Sequence, residues 1–132
     1  MLKLTNSTST TLTAGATIPL NVKFNTNNNT GYNTTTNAVI INNSGYYSLN
    51  YEIVLSVATA SDLSLELYAN GVAIPETKVT ETFDADDVRT IVINDIQKII
   101  PNLTDTTKVN ITCVTDTACT LTNANVSVYM IR

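Results

Sequence analysis

Histidine and tryptophan are both missing from this 132-residue sequence, and charged residues make up only 14% of it. Without histidine, the chain lacks the commonest general base, triad partner and metal ligand. Its seven Lys and Arg residues are scattered and its formal net charge is −4, whereas nucleic-acid binding requires clustered cations. No apolar run approaches the roughly 20 residues of a membrane-spanning helix. We therefore expect neither nucleic acid nor a membrane as a partner.

Carboxylates are the main remaining candidates for catalysis or metal binding. Most aspartates fall in predicted turns, where this side chain bonds to nearby backbone. The densest cluster, Asp84, Asp86 and Asp87 in "DADD", lacks the spacing of a known calcium loop, which favours a solvated turn. Glu52 lies on the polar face of a long predicted strand, which indicates a solvent-facing or intersubunit position. We expect no enzymatic activity, no metal and no cofactor.

The two cysteines leave two alternatives open. If residues 115–117 form the turn of a terminal hairpin, Cys113 faces Cys119, with Cβ atoms about 4.5–5.5 Å apart. A disulfide and two buried free thiols both fit that spacing. The opening residues "MLKLTNSTST" contain no apolar segment typical of a secretory signal peptide, which favours free thiols. A zinc site needs more ligands than two cysteines supply.

Threonine and asparagine dominate the composition, with 24 and 17 residues. Threonine favours strands and asparagine favours turns, so the chain leans towards an all-β fold. In "YSLNYEIVLSV", every second residue from Tyr47 to Val57 is large and apolar, which predicts a long strand with one buried face. Asn70-Gly71 is a strong signal for a two-residue hairpin turn. Eight to ten such strands, with no substantial helix, predict an antiparallel sandwich or barrel.

Three segments, "SGYYSLNYEIVLS", "LSLELYANGVAIPET" and "NVSVYMIR", resemble the tumour necrosis factor/complement globular-head jelly-roll family. In that family a Gly-Tyr pair opens a long central strand, and a hairpin carries Asn-Gly followed by Ile-Pro. Those places are filled here by Gly45-Tyr46, Asn70-Gly71 and Ile74-Pro75. The resemblance is strongest to bacterial and bacteriophage members, namely C-terminal domains of collagen-like spore-surface proteins and small phage virion proteins. It implies an antiparallel jelly-roll β-sandwich that forms a homotrimer.

The resemblance also implies a division of the chain. It assigns residues 14–132 to the jelly-roll domain and residues 1–13 to an N-terminal anchoring segment, with Leu2 and Leu4 as its apolar contacts. No Gly-X-Y collagen repeat precedes the domain, which disfavours a spore filament. Tyr47 and Tyr51 lie on the face patterned for the core, and we expect them in the core or at the subunit interface.

The leading hypothesis is a structural virion protein of a bacteriophage, either a homotrimeric capsid decoration protein or a head-fibre component. It would assemble in the host cytoplasm and dock on the major capsid protein or another protein at the virion surface. The alternative is a receptor-binding or carbohydrate-binding head of a tail fibre or bacterial surface protein. A host-surface glycan would then contact the polar loop at residues 25–37, which contains Tyr32, or the aspartate-rich turn at residues 84–87.

Overall fold

Two antiparallel β-sheets hold most of the chain and form a sandwich. A computed structural model describes residues 1–26, 28–101 and 108–131. Within these ranges the chain forms twelve strands and one short 3₁₀ helix, Pro75–Thr77. None of the helical structure in the described ranges is long and apolar enough to cross a membrane.

The first sheet is built around the longest strands. Its six strands are β1 (Leu2–Asn6), β2 (Thr10–Leu12), β3 (Asn21–Asn25), β6 (Gly45–Ser56), β10 (Val88–Ile99) and β12 (Cys119–Met130). Their order is β10-β6-β12-β1-β3, and β2 pairs with the beginning of β12. All the pairings in this sheet are antiparallel.

The second sheet also has six strands. They are β4 (Thr30–Asn33), β5 (Ala38–Ile41), β7 (Ser61–Ala69), β8 (Val72–Ala73), β9 (Val79–Phe83) and β11 (Val109–Thr115). Their order is β4-β5-β11-β7-β8, and β9 pairs with the first half of β7. Asn70 and Gly71 join β7 to β8 with φ angles of 49° and 80°. The predicted hairpin is therefore confirmed, since both turn positions use the positive φ that Asn and Gly tolerate.

Successive long strands alternate between the two sheets, as in a jelly roll. The chain passes from β5 in the second sheet to β6 in the first, then to β7, β10, β11 and β12 in alternating sheets. The predicted all-β antiparallel sandwich is confirmed. The described residues hold more strands than the eight to ten predicted, because β2, β4 and β8 have only two to four residues each. Segments this short contain too few alternations to be recognised as strands.

Strand β6 supplies the centre of the core. Its alternate residues Tyr47, Leu49, Tyr51, Ile53 and Leu55 are all buried. Opposite them, β7 and β11 bury their own alternate residues, Leu63, Leu65, Leu67, Ile111 and Cys113. Burying one Leu or Ile side chain stabilises a fold by roughly 1.5–3 kcal/mol relative to exposure. This two-sheet core confirms the strand predicted from Tyr47 to Val57 up to Ser56, where β6 ends.

The N-terminal strand belongs to the sandwich rather than to a separate extension. Strand β1 pairs with β12 on one side and with β3 on the other, and Leu2 and Leu4 are fully buried in the core. The domain boundary expected near residue 13 therefore does not divide the fold. The anchoring contacts expected of Leu2 and Leu4 need correction, because neither side chain is accessible to another protein. Within residues 1–13 the longest exposed run is residues 7–9.

The predicted terminal hairpin, which would place Cys113 opposite Cys119, is wrong. Strand β11 pairs with β5 and β7 in the second sheet, whereas β12 belongs to the first sheet. Cys113 faces Leu67 and Cys119 faces Leu12 across their respective strand pairs. Both thiols are free and buried. A three-residue connection that crosses between sheets has the same local pattern as a hairpin turn, so only the pairing of the strands distinguishes them.

The two buried tyrosines of β6 predict opposite responses to loss of the hydroxyl group. The Tyr47 hydroxyl donates a hydrogen bond of 2.7 Å to the Asn43 carbonyl, whereas the Tyr51 hydroxyl has no hydrogen-bond partner among the described residues. We expect Tyr47→Phe to lower the free energy of unfolding by about 1 kcal/mol and Tyr51→Phe to leave it unchanged or raise it. Urea denaturation of the matched pair measures this. A large loss of stability in Tyr51→Phe would contradict it.

The burial of β1 predicts that residues near the N-terminus contribute to folding. Leu4→Ala removes a fully buried side chain, and we expect it to lower the free energy of unfolding by about 2–5 kcal/mol. Lys3→Ala, on the opposite face of the same strand, should change it by about 0.5 kcal/mol or less. Thermal and urea unfolding of both variants test this. Equal, small effects would show that β1 can leave the sheet without cost.

The buried thiols and phenols predict a loss of stability at alkaline pH. Burial raises the pKa of Cys113 from 9.0 to about 12, and raises the pKa of Tyr51 well above 10.0. Above pH 9 the unfolded chain loses protons that the folded chain keeps, so stability is constant below that pH and falls above it. The slope is at most about 1.4 kcal/mol per pH unit per group.

Urea unfolding at pH 7, 9, 10 and 11 measures this loss. Between pH 9 and 10 the thiols supply most of the fall in the free energy of unfolding. Cys113→Ala should therefore be less stable overall, but its free energy of unfolding should change less with pH in that interval. A wild-type stability that does not change up to pH 11 would contradict the assignment.

Candidate subunit interface

The outer face of the first sheet is a regular surface that extends across five paired strands. We use "outer face" for the side chains that point away from the core in strands β1, β3, β6, β10 and β12. Register carries this face across the sheet in rows, so that Val92, Glu52 and Asn125 are neighbours, as are Asn94, Asn50 and Ser127. Because side chains alternate along a strand, this face is as continuous as the core face beneath it.

Large apolar side chains are concentrated on this outer face. Eleven large hydrophobic residues are exposed in the described chain, and six of them point outward from this sheet. They are Phe24, Tyr46, Val88, Val92, Ile96 and Tyr129. A cluster of exposed apolar residues on one face is typical of a surface that contacts another molecule.

The densest part of the cluster lies at one end of the sheet, and we call Tyr46, Ser48, Ile96, Lys98 and Tyr129 the aromatic end. Ser48 sits between Ile96 and Tyr129 in register, and these large neighbours leave it only 7% exposed. The Lys98 ammonium lies 6.0 Å from the centre of the Tyr46 ring, within the range of a cation–π interaction. The two exposed tyrosines of the aromatic end belong to a residue type that is enriched at protein interfaces and among their energetic hot spots.

Neutral amides line the middle of the same face. The Asn50 amide donates hydrogen bonds of 2.9 Å to the Ser48 hydroxyl and 3.3 Å to the Ser127 carbonyl. A depression of about 450 Å³ borders this row, next to Asn94 and Ile96. The charged residues that point outward from the paired positions of this sheet are Lys3, Glu52 and Lys98. With so few charges, two such faces can meet without a large cost of removing ions from water.

The structure separates the predicted interface tyrosines from this surface. Tyr47 and Tyr51 are fully buried in the core of the single chain, so they cannot contact a second subunit while the sandwich is closed. Tyr46 and Tyr129 are the tyrosines that this face exposes. The sequence carries a signal for the apolar character of this outer face, because "IVI" at residues 91–93 is apolar on both sides of its strand. Ile91 and Ile93 point into the core, so alternation alone assigns Val92 to the polar side of the strand.

The Tyr32 side chain has a structural role in this fold. Part of the region predicted as a polar loop, residues 25–37, forms strand β4 and pairs with β5. The Tyr32 hydroxyl accepts a hydrogen bond of 3.0 Å from the Leu20 backbone and donates one of 3.2 Å to the Asn37 side chain. Burial raises its pKa to about 12. A phenol held in this way is poorly placed to stack on a ligand.

The aspartate-rich turn at residues 84–87 has the geometry of a backbone turn. Asp86 adopts a positive φ of 64°, and its backbone amide donates to the Val57 carbonyl at 2.7 Å. Asp87 lies 3.9 Å from Arg89 in an exposed ion pair, which adds little stability. Among the residues that the structure describes, no group of three or more His, Cys, Asp or Glu could hold a metal ion. The backbone turn itself brings these aspartates together.

Comparison with known proteins gives structural likeness without sequence likeness. No protein-family model matches the sequence, and no curated protein matches it. Among solved structures, PRD1 vertex protein P5 superposes with a TM-score of 0.59 at 14% identity, covering 99% of this chain and 96% of that one. The two chains share a fold. A family 35 carbohydrate-binding module from an environmental isolate covers 98% of this chain and 97% of its own at a TM-score of 0.41 and 14% identity.

Proposed function

We propose that this chain is a structural virion component that assembles as a homotrimer through the outer face of its first sheet. The observation that carries the proposal is the concentration of exposed apolar side chains on that face, around Tyr46, Ile96 and Tyr129. The likeness of fold to a protein named as a vertex protein supports a virion role. The sequence resemblance to trimeric jelly rolls supports the number of subunits.

A second copy of this chain is the occupant that fits the face best. Most oligomers of soluble proteins are closed, symmetric assemblies of identical chains. The face combines apolar side chains, neutral amides and few charges, so copies of it can approach one another without repulsion. Attachment to the major capsid protein or another virion protein would then use surfaces outside the trimer. For the predicted anchoring segment, these are the exposed residues 7–9 rather than the buried leucines.

A structural role also agrees with the chemistry of the side chains. The chain has no histidine, and its aspartate cluster is explained by a turn. We infer that the protein performs no catalysis and acts through its surfaces alone.

The proposed trimer predicts a specific mass in solution and specific substitutions that should weaken its association. Light scattering after size exclusion should give a mass three times that of the 14.2 kDa chain. Ile96→Asp and Tyr129→Asp each place a carboxylate in the apolar interface, and we expect each to weaken association by about tenfold or more. The matched control is Val72→Asp, which changes an exposed valine of the second sheet and should leave the trimer intact.

Circular dichroism and thermal unfolding show whether each variant keeps its fold. A wild-type chain that is monomeric at high micromolar concentration would contradict the proposal. So would trimers that tolerate both interface variants.

The virion role has its own test. Particles purified by density gradient from the source of the gene should contain the chain, detected with an antibody or by mass spectrometry. Recovery of the chain only in particle-free fractions would contradict a virion role while leaving the trimer unaffected.

A further inference from the structure

An open cleft of about 480 Å³ lies on the outer face of the second sheet, on the opposite side of the sandwich from the proposed interface. Its floor is formed by β7 and β11, where Glu66 and Val114 are directly paired. One wall is the segment around Gly15, whose backbone amide donates to the Thr115 carbonyl at 2.8 Å. The other wall is Lys78, which precedes β9. The volume lies in the range of small-molecule sites.

Three polar side chains in this cleft have no partner within the part of the chain that the structure describes. Glu66, Tyr68 and Lys78 line it, and none of their side chains makes a hydrogen bond or ion pair with any described residue. Glu66 and Tyr68 are half-buried and line the cleft. Half-buried polar groups that stay unpaired in the protein are available to the hydroxyls of a ligand.

The other polar groups of the cleft are already engaged. The Asp116 carboxylate accepts hydrogen bonds of 2.8 Å from the Ser64 backbone amide and from the Thr117 hydroxyl. The Ser64 and Thr80 hydroxyls bond to each other at 2.7 Å. These contacts engage Asp116 and Ser64 and leave the Glu66 carboxylate, the Lys78 ammonium and the Tyr68 phenol to line the opening. A binding site that is formed before its ligand arrives avoids the entropy cost of ordering.

The chemistry of these groups selects the class of ligand. The cleft is lined by two carboxylates, Glu66 and Asp116, and one ammonium, Lys78, so its charge disfavours an anion. Two carboxylates also provide too few ligands for a divalent cation. A wholly apolar ligand would leave Glu66 and Lys78 without hydrogen bonds. A saccharide has hydroxyls that both donate and accept, and an apolar ring face that can pack on the tyrosine ring.

We propose that the cleft between Gly15 and Lys78 binds a neutral saccharide. Tyr68 packs against the sugar ring, Glu66 accepts from ring hydroxyls, and Lys78 donates to a ring or glycosidic oxygen. This site differs from the loops at residues 25–37 and 84–87 that the sequence favoured for a glycan. It does not depend on the trimer, because it lies on the other sheet.

The test combines a glycan array with a nuclear magnetic resonance titration of the full chain. The titration probes are the methyl glycosides of glucose, galactose, mannose and N-acetylglucosamine, added with any glycan that binds on the array. We expect amide shifts at Glu66, Tyr68 and Val114. Glu66→Gln, which keeps the shape of the side chain, and Tyr68→Ala should each weaken binding by about tenfold.

Two controls make the outcome specific. Asp84→Asn removes a carboxylate outside the cleft and should change affinity by less than about twofold. Ile96→Asp should keep saccharide binding even when it disrupts the trimer, so the two proposals can fail separately. The proposal is overturned if no array glycan or methyl glycoside binds, if the shifts fall at residues 84–87 or Tyr32, or if Glu66→Gln and Tyr68→Ala both bind like wild type.

Discussion

The inward face of β6 is the constraint on which the rest of the structure depends. From Tyr47 to Leu55 every second side chain is buried, and the strand is flanked on both sides, by β10 and by β12. These apolar residues need a second apolar layer, which β7 and β11 provide from the other sheet. A shift of one residue in the pairing would turn the whole buried set to solvent. The register of the first sheet, and the rows on its outer face, follow from this requirement.

The same register determines the surface proposed for self-association. Once Tyr47 and Leu49 point inward, Tyr46 and Ser48 must point outward, and pairing places Lys98 beside Tyr46 and Ile96 beside Ser48. The outer face is therefore the complement of the core, built by the same strands. A change that weakens β6 in the core would also displace the residues of the aromatic end.

The two proposed surfaces lie on opposite sheets, and this arrangement allows both to be used at once. A trimer formed through the first sheet would leave the cleft of the second sheet facing outward. Each copy would then present one Glu66, Tyr68 and Lys78 site, and three weak sites on one assembly bind a surface with many glycans far more tightly than one. A structural virion role and a receptor-binding role are compatible in such a molecule.

By itself, the sequence determined the properties that depend on neighbours along the chain. The alternation of Tyr47, Leu49 and Tyr51 predicted the long strand and its buried face, and Asn70-Gly71 predicted the hairpin, because side-chain period and turn dihedrals are local. The composition, with no histidine and with scattered Lys and Arg residues, excluded catalysis or metal binding by histidine and a clustered cationic surface.

Only the tertiary structure decided which strands pair. It placed Cys113 and Cys119 in different sheets, inserted Leu2 and Leu4 into the core, and brought Ile96 and Tyr129 to either side of Ser48. It also joined Gly15, Glu66 and Lys78 around one cleft. These contacts link residues far apart in sequence, and their pairing follows from the fit of a whole core rather than from any local pattern.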